Sequence, residues 1–290
     1  RNLKKSEEYY LKALNIQPHS YQTLNNIAGF YLETNNSKKA LKLYEKALKL
    51  FPNEPTILDN LSKTFFSLNK YELAKKFCEK SIKIRNSPST QKSLSHIYLR
   101  EDNYKKAWEY FDGRIYEDDF IYGNESYSLI NDKLLNKRSV DPKKQLLIVR
   151  EQGVGDEILY ASMYKDVLES FKNIFIETDE RLISLFVESF GKKYTSNFKK
   201  FGFFSKNQKN LKNIDQVLYA GSLGYYFRNN LNDFPKKSYL KINEILINKT
   251  KKELTTFKKK FKVGVSWKSL NNNYAEQKSL NLEKLLDILK

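Results

Sequence analysis

The chain has 290 residues and a formal net charge of +18, with Lys and Arg outnumbering Asp and Glu by 52 to 34. That length accommodates two domains with separate cores, while a single cysteine, Cys78, excludes a disulfide framework and suits a reducing, cytoplasmic setting. No apolar run reaches the length of a membrane span, and the lysines are scattered over helix faces without the clustered arginines of a nucleic-acid site, so the charge leaves an anionic membrane surface or anionic substrate as partner.

The first elements repeat. Ser6-x-x-x-Tyr10-x-x-Ala13 with Pro18 returns 34 residues later as Ala40-x-x-x-Tyr44-x-x-Ala47 with Pro52. It returns again as Ala74-x-x-x-Cys78-x-x-Ser81 after 34 and as Ala107-x-x-x-Phe111 after 33. Small residues recur where two helices approach closely, and a bulkier side chain follows one turn on. Between these segments lie apolar stripes at helical spacing: Leu24, Ile27, Ala28 and Tyr31; then Leu58, Leu61, Ser62 and Phe65; then Gln91, Leu94, Ser95 and Tyr98. Pro55 and Pro88 precede two of these stripes, where a first-turn proline forfeits no hydrogen bond. Asn35-Asn36, Asn69-Lys70 and Asp102-Asn103 read as tight turns. A helix–turn–helix unit of this period, from Ser6 to about Arg114, resembles the tetratricopeptide repeats, here about three and a half of them. Such repeats imply a groove for a peptide or protein partner, or alternatively a brace for the next domain. Arg1 falls inside a degraded repeat, so the chain is expected to continue upstream.

The pattern changes at Arg114. Residues 115–142 carry an acidic patch (Glu117, Asp118, Asp119), end in Asp141-Pro142 and read as a junction. Gln145–Arg150 reads as a buried strand, followed by Glu151-Gln152-Gly153-Val154-Gly155-Asp156 and a helix presenting Ile158, Leu159, Ser162 and Met163. Asn173–Glu177, a turn at Thr178-Asp179, and a helix through Leu182, Leu185 and Phe186 form a second unit. A strand over 216–219 leads into Gly221-Ser222-Leu223-Gly224, which opens another helix; a Lys-rich helix over 244–260 and a strand over 262–266 follow. Repeated strand–turn–helix predicts a parallel α/β sheet.

The glycine turn is not a dinucleotide fingerprint, because Ile158 stands where the third glycine belongs. Gly264-Val-Ser-Trp-Lys268 likewise lacks the glycine that a phosphate-binding loop places before its lysine. What the turn offers is an acid at a helix N-terminus beyond a strand's carboxyl end, where ligands of open α/β sheets sit. Asp156 is either a general base within reach of a bound hydroxyl or an ordinary N-cap. Both histidines, His19 and His96, lie in the repeats, and no Cys/His cluster offers a metal site. Glu177 and Asp179 straddle a strand end, where Thr178 or Asp179 reads as a cap rather than half of a metal pair.

The run Leu147 to Tyr160 resembles the first strand–loop–helix of the family 9 glycosyltransferases, which include ADP-heptose:lipopolysaccharide heptosyltransferases, and is similar above all to bacterial relatives with tetratricopeptide repeats in front. Tyr219–Arg228 with Phe234-Pro235 and Tyr239-Leu240 is similar to that family's lobe-closing segment, and 262–268 with Lys278-Ser-Leu280 to the opening of its donor lobe. Trp108–Arg114 resembles its join between repeats and catalytic domain, with Ile115 in place of the usual Trp.

This resemblance implies a GT-B architecture. Residues 1–114 would be an α solenoid, 115–142 a junction, 143–260 the Rossmann-like acceptor lobe and 261–290 the start of a donor lobe truncated at Lys290. It implies a metal-independent inverting transferase, without a cofactor, that moves a sugar from a nucleotide sugar to a glycan or protein acceptor recruited by the repeats. Asp156 would be the base, with Glu151 in reserve. Glu151, Gln152, Gly153, Gly155 and Ser222 would line the acceptor side. Ser266, Trp267, Lys268 and Lys278 would line the donor side, although Lys268 also reads as one more solvated lysine. A Rossmann-like lobe needs over ~100 residues, so the stretch alone is expected to be inactive. The alternative is a non-catalytic repeat scaffold with a degenerate transferase fold. Either protein would be cytoplasmic, with the inner face of the membrane within reach.

Overall fold

In the computed structural model, residues 3–116, 127–135 and 139–255 are described, and they divide between two compact units, 1–241 and 242–290. The first unit opens with seven helices: α1 (Leu3–Ile16), α2 (Tyr21–Glu33), α3 (Ser37–Leu50), α4 (Pro55–Ser67), α5 (Tyr71–Ile84), α6 (Pro88–Arg100) and α7 (Tyr104–Phe111). Ala40, Ala74 and Ala107 are fully buried, and the side chain one turn after the first two, Tyr44 or Cys78, is buried with them. The small residue lets the facing helix approach, and the larger one fills the space beyond it. Each of the three stripes read from the sequence is the buried face of its helix, with only Gln91 left half-exposed. Burial pushes the Cys78 thiol up to about 12, so it behaves as a small apolar filler rather than a nucleophile.

The turns repeat as faithfully as the helices. Asn35, Asn69 and Asp102 all take left-handed backbone, with φ of 59°, 58° and 55°. Each closes its helix by the same pair of bonds, seen at Asn69 N–H to Phe66 C=O (3.0 Å) and Lys70 N–H to Phe65 C=O (2.9 Å). That is the Schellman arrangement, and Asn and Asp tolerate its left-handed residue better than other non-glycine side chains do. Pro55 and Pro88 occupy the first turns of α4 and α6.

A 3₁₀ turn, Asp112–Tyr116, and a short helix, α8 (Tyr127–Ile130), lead to the sheet. Four strands, β1 (Leu146–Val149), β2 (Ile174–Thr178), β3 (Phe198–Lys200) and β4 (Gln216–Tyr219), are all parallel and lie in the order β3-β2-β1-β4. Every residue of β1 and β4 is buried, as expected for strands covered on both faces. The helices are α9 (Val154–Ala161), α10 (Tyr164–Ser170), α11 (Glu180–Phe190), α12 (Gln208–Leu211) and α13 (Gly224–Phe227). β3, three residues long and bearing two lysines, has no sequence signal of its own.

Two details differ from the sequence reading. Leu159 is 66% exposed rather than part of the apolar face. The first helix stops at Ala161 and the chain re-nucleates at Tyr164, so the buried side of α9 is formed by Glu157 and Ala161. Residues 220–223 form a 3₁₀ turn, and the helix begins only at Gly224. In the second unit, α14 (Glu244–Thr255) is described; the strand over 262–266 and the last residues of the Lys-rich helix lie outside the described residues.

Candidate functional site

The chain passes from β1 outward to β2 and β3, then returns to the other side of β1 as β4. The carboxyl ends of β1 and β4 therefore flank the point where the strand order reverses, the usual ligand position in an open α/β sheet. Two loops meet there, one running from Arg150 into α9 and one from Ala220 into α13.

The loop after β1 is held in an uncommon shape. Gln152 has φ of 60°, the single left-handed non-glycine residue among the described residues outside the repeat turns, and the conformation costs a residue of this type on the order of 1–2 kcal/mol. Arg150 Nη2 donates to the Gln152 carbonyl at 3.1 Å and braces it. The same guanidinium pairs with Glu157 (2.9 Å) and Asp179 (3.2 Å), which tie the loop to α9 and to the end of β2. Burial pushes the Glu157 carboxyl above its ordinary range, against the pull of Thr178, the Asp179 amide and Arg150. Hydrogen bonding to Arg181, chiefly, holds Asp179 well below the usual carboxylate range. Asp179 is the N-cap of α11, accepting from the Arg181 amide.

Asp156 stands third in α9 and is half-buried. The N-cap is Gly153, so the simple capping role read from the sequence falls to a different residue. The Asp156 carboxylate instead reaches back to accept from the Gly153 N–H at 3.3 Å, a favourable position for an anion at a helix N-terminus. A Cβ on Gly155 would meet nothing within 4 Å, and one on Gly153 would touch only the Asp156 carboxylate at 3.7 Å. Neither glycine is needed for packing. By contrast a Cβ on Gly221 would strike the Glu151 carboxylate at 2.6 Å, and one on Gly224 the Trp108 ring at 2.7 Å.

Glu151 and Ser222 are buried beneath the turn, and their polar atoms are occupied. Arg114, from the turn that ends the helical array, donates to both Glu151 oxygens, Nε at 2.9 Å and Nη2 at 2.7 Å. Glu151 also accepts from the Gly221 N–H (2.5 Å). Ser222 donates to Asp112 (2.7 Å) and accepts from Arg114 (3.2 Å), while Asp112 also pairs with Arg114 (2.8 Å). Burial works against the Arg114 charge, but Glu151 and Asp112 more than offset it and raise its pKa. Glu151 and Ser222 are thus internal anchors of the crevice floor. A second link pairs the Trp108 indole N–H with the Arg228 carbonyl, while the Arg228 side chain holds Asp166 at 2.7 Å.

The structure therefore brings Asp156, Gln152, Gly153 and Gly155 together at the open rim and sets Glu151 and Ser222 below them. Ser266, Trp267, Lys268 and Lys278 lie outside the described residues. Sequence reasoning did not single out Arg114, Arg150, Asp112 or Glu157 as parts of the site, because lone charged residues carry no periodic signal. Asp112, Gly113 and Arg114 lie in the run that resembles an interdomain join. Among the described residues no three His, Cys, Asp or Glu side chains are placed to hold a metal, and no helix is long and apolar enough to cross a membrane.

A family model for the tetratricopeptide repeat matches residues 21–54 and 55–88. Among curated proteins, protein FlbA of Caulobacter vibrioides is 27% identical over 140 residues, 45% of this chain and 24% of its own length. The chain thus spans about a quarter of the curated relative it matches. Among solved structures, a MamA crystal structure has a TM-score of 0.36 at 16% identity over 44% of this chain and 68% of its own. Pseudomonas aeruginosa PilF has 0.35 at 28% over 44% and 57%, and a Thermobaculum terrenum O-GlcNAc transferase 0.37 at 14% over 61% and 34%. With TM-scores this low, these likenesses add nothing to the fold as built from its own elements. Two of the helical hairpins, 21–54 and 55–88, are tetratricopeptide repeats, protein-interaction units set ahead of a parallel α/β sheet.

Proposed function

We propose that residues 143–241 are the acceptor lobe of a metal-independent inverting glycosyltransferase, with the repeats of 1–114 recruiting its acceptor or a partner. The observation that carries this reading is the rim of the switch-point crevice, where Gly155 fronts open space beside the half-buried Asp156 carboxylate. A glycine that no neighbour requires, next to an acid at a helix N-terminus, leaves a substrate hydroxyl room to come within hydrogen-bond reach. Asp156 takes the hydroxyl proton as its oxygen attacks the sugar carbon, and the nucleotide diphosphate leaves from the opposite face. Gln152, Gly153 and Gly155 shape the acceptor rim. Ser266, Trp267, Lys268 and Lys278 meet the donor on a second lobe that begins near residue 261. On this reading a nucleotide sugar is a co-substrate, not a resident cofactor.

The test is a thermal-shift panel of nucleotide sugars on the full-length protein, followed by transfer assays with the one that binds. A ligand at a hundred times its dissociation constant stabilises by about 2.7 kcal/mol, a rise of roughly 5–10 °C for domains of this size. The nearly isosteric Asp156→Asn should keep that shift and lose turnover at least a hundredfold. Full activity in the variant removes Asp156 as the base. No shift with any nucleotide sugar favours a scaffold that works through the repeats alone.

A further inference from the structure

The charge of the repeats is not spread evenly over their two layers. The first helices of successive hairpins, α2, α4 and α6, touch one another more than the second helices do, so α3 and α5 lie on the convex side of the array. The helix α3 carries five lysines against one glutamate and α5 four lysines against two glutamates, whereas α2 has no lysine and α4 a single one. At 100° per residue, Lys42, Lys46 and Lys49 project opposite the buried Ala40, Tyr44 and Ala47. Lys76, Lys80 and Lys83 occupy the same three places 34 residues later, opposite Ala74, Cys78 and Ser81. Five of the six are exposed and Lys46 is half-exposed. Lys80 donates to the Pro52 carbonyl, and none of the six is held by a carboxylate among the described residues.

An aliphatic edge keeps the same register. Ile16, Leu50 and Ile84, spaced 34 apart at the ends of α1, α3 and α5, are 79%, 42% and 47% exposed. In α3 and α5 this position lies beside the lysine face. Residues one repeat apart sit side by side in a stacked array, so the convex layer presents paired lysine rows flanked by exposed aliphatic side chains.

We infer that this convex face docks on an anionic membrane surface, lysines on the lipid headgroups and the aliphatic edge in the interface. The composition selects that occupant among polyanions. Nucleic-acid surfaces draw on arginine forks and stacking aromatics, and α3 and α5 carry no arginine. Lysine with exposed aliphatics is the pattern of interfacial binding, and each lysine near such a surface contributes about a fivefold gain in binding. This inference does not depend on the proposed transferase activity.

The experiment is vesicle co-sedimentation of the full chain on phosphatidylcholine alone and with about 30% phosphatidylserine, at ~0.1 M salt where screening is moderate. One variant is K42Q/K46Q/K76Q/K80Q. Its control, K172Q/K209Q/K212Q/K237Q, removes the same charge from exposed positions of the α/β half. Both should melt as the wild type does, because exposed substitutions rarely change stability much. Binding should require the anionic lipid, fall at least tenfold in the first variant and change less than about threefold in the control. L50Q/I84Q should weaken binding without altering its salt dependence. Equal loss in both lysine variants, equal binding to neutral vesicles, or no binding to either would overturn the inference. So would tighter binding to single- or double-stranded nucleic acid that only the first variant loses.

Discussion

The two halves of the first unit bury their polar groups in different ways. In the repeats, each interface sets the same small residue against a largely apolar stripe, and the polar side chains buried with it are the small hydroxyls of Ser62, Thr64, Ser81, Thr90 and Ser95 and the carboxylate of Asp59. In the α/β half, the crevice at the strand-order reversal is floored by Arg114, Asp112, Glu151 and Ser222, all at least nine-tenths buried. Arg114 belongs to the last turn of the helical array, so one buried ion network is shared by the two halves. A substitution at a repeat interface costs according to the volume it adds or removes, whereas loss of one partner from a buried charge network leaves the others uncompensated.

The largest effect that could break this comparison comes from that network. Arg114→Met strands Glu151 and Asp112 without their cation and should cost about 3–5 kcal/mol, read from urea midpoints at constant slope. Glu151→Gln alone should cost comparably, and the double variant should recover part of the loss, because a buried pair replaced whole is far less damaging than a pair cut in half. Additive losses would mean that Arg114 and Glu151 do not act as a unit. The wild type should also melt in one transition across repeats and sheet, and Arg114→Met should separate the two.

Next comes the repeat interface. Ala74 is fully buried where α5 meets α4, so Ala74→Leu should cost about 1–3 kcal/mol by overpacking. Here the sequence was legible, since the need for a small residue recurs at every interface and a period makes it visible. The strands of Leu146–Val149 and Gln216–Tyr219 were legible too, as apolar runs between turn signals. Glu157 and Glu177 were not. Glu177 is fully buried and accepts from the Phe204 and Ser205 amides (2.5 and 3.0 Å), partners 27 and 28 residues away that no local pattern announces. At the site, the Gly-x-Gly-Asp turn stood out because it is contiguous, while Arg114 is 37 residues from Glu151 and joins it only in the fold.

The smallest effect sharpens the comparison most. Asn69 in a repeat turn and Gln152 at the crevice rim share almost the same backbone, φ 58° and 60°. Replacing either by glycine relieves left-handed strain and raises the entropy of the unfolded chain, a penalty of about 0.5–1 kcal/mol. Asn tolerates the left-handed region, so for Asn69→Gly the two effects nearly cancel or the entropy wins slightly. Gln does not, and its strain of about 1–2 kcal/mol exceeds the penalty, so Gln152→Gly should stabilise by about 0.5–1 kcal/mol. A stabilised Gln152→Gly means that the chain keeps a strained residue at the rim at a cost to its own stability, which is how backbone strain distributes at working sites. A destabilised one means that contacts of the Gln152 side chain outweigh the strain, and the rim residue is then held by packing, as Tyr44 and Leu61 are held in the repeats.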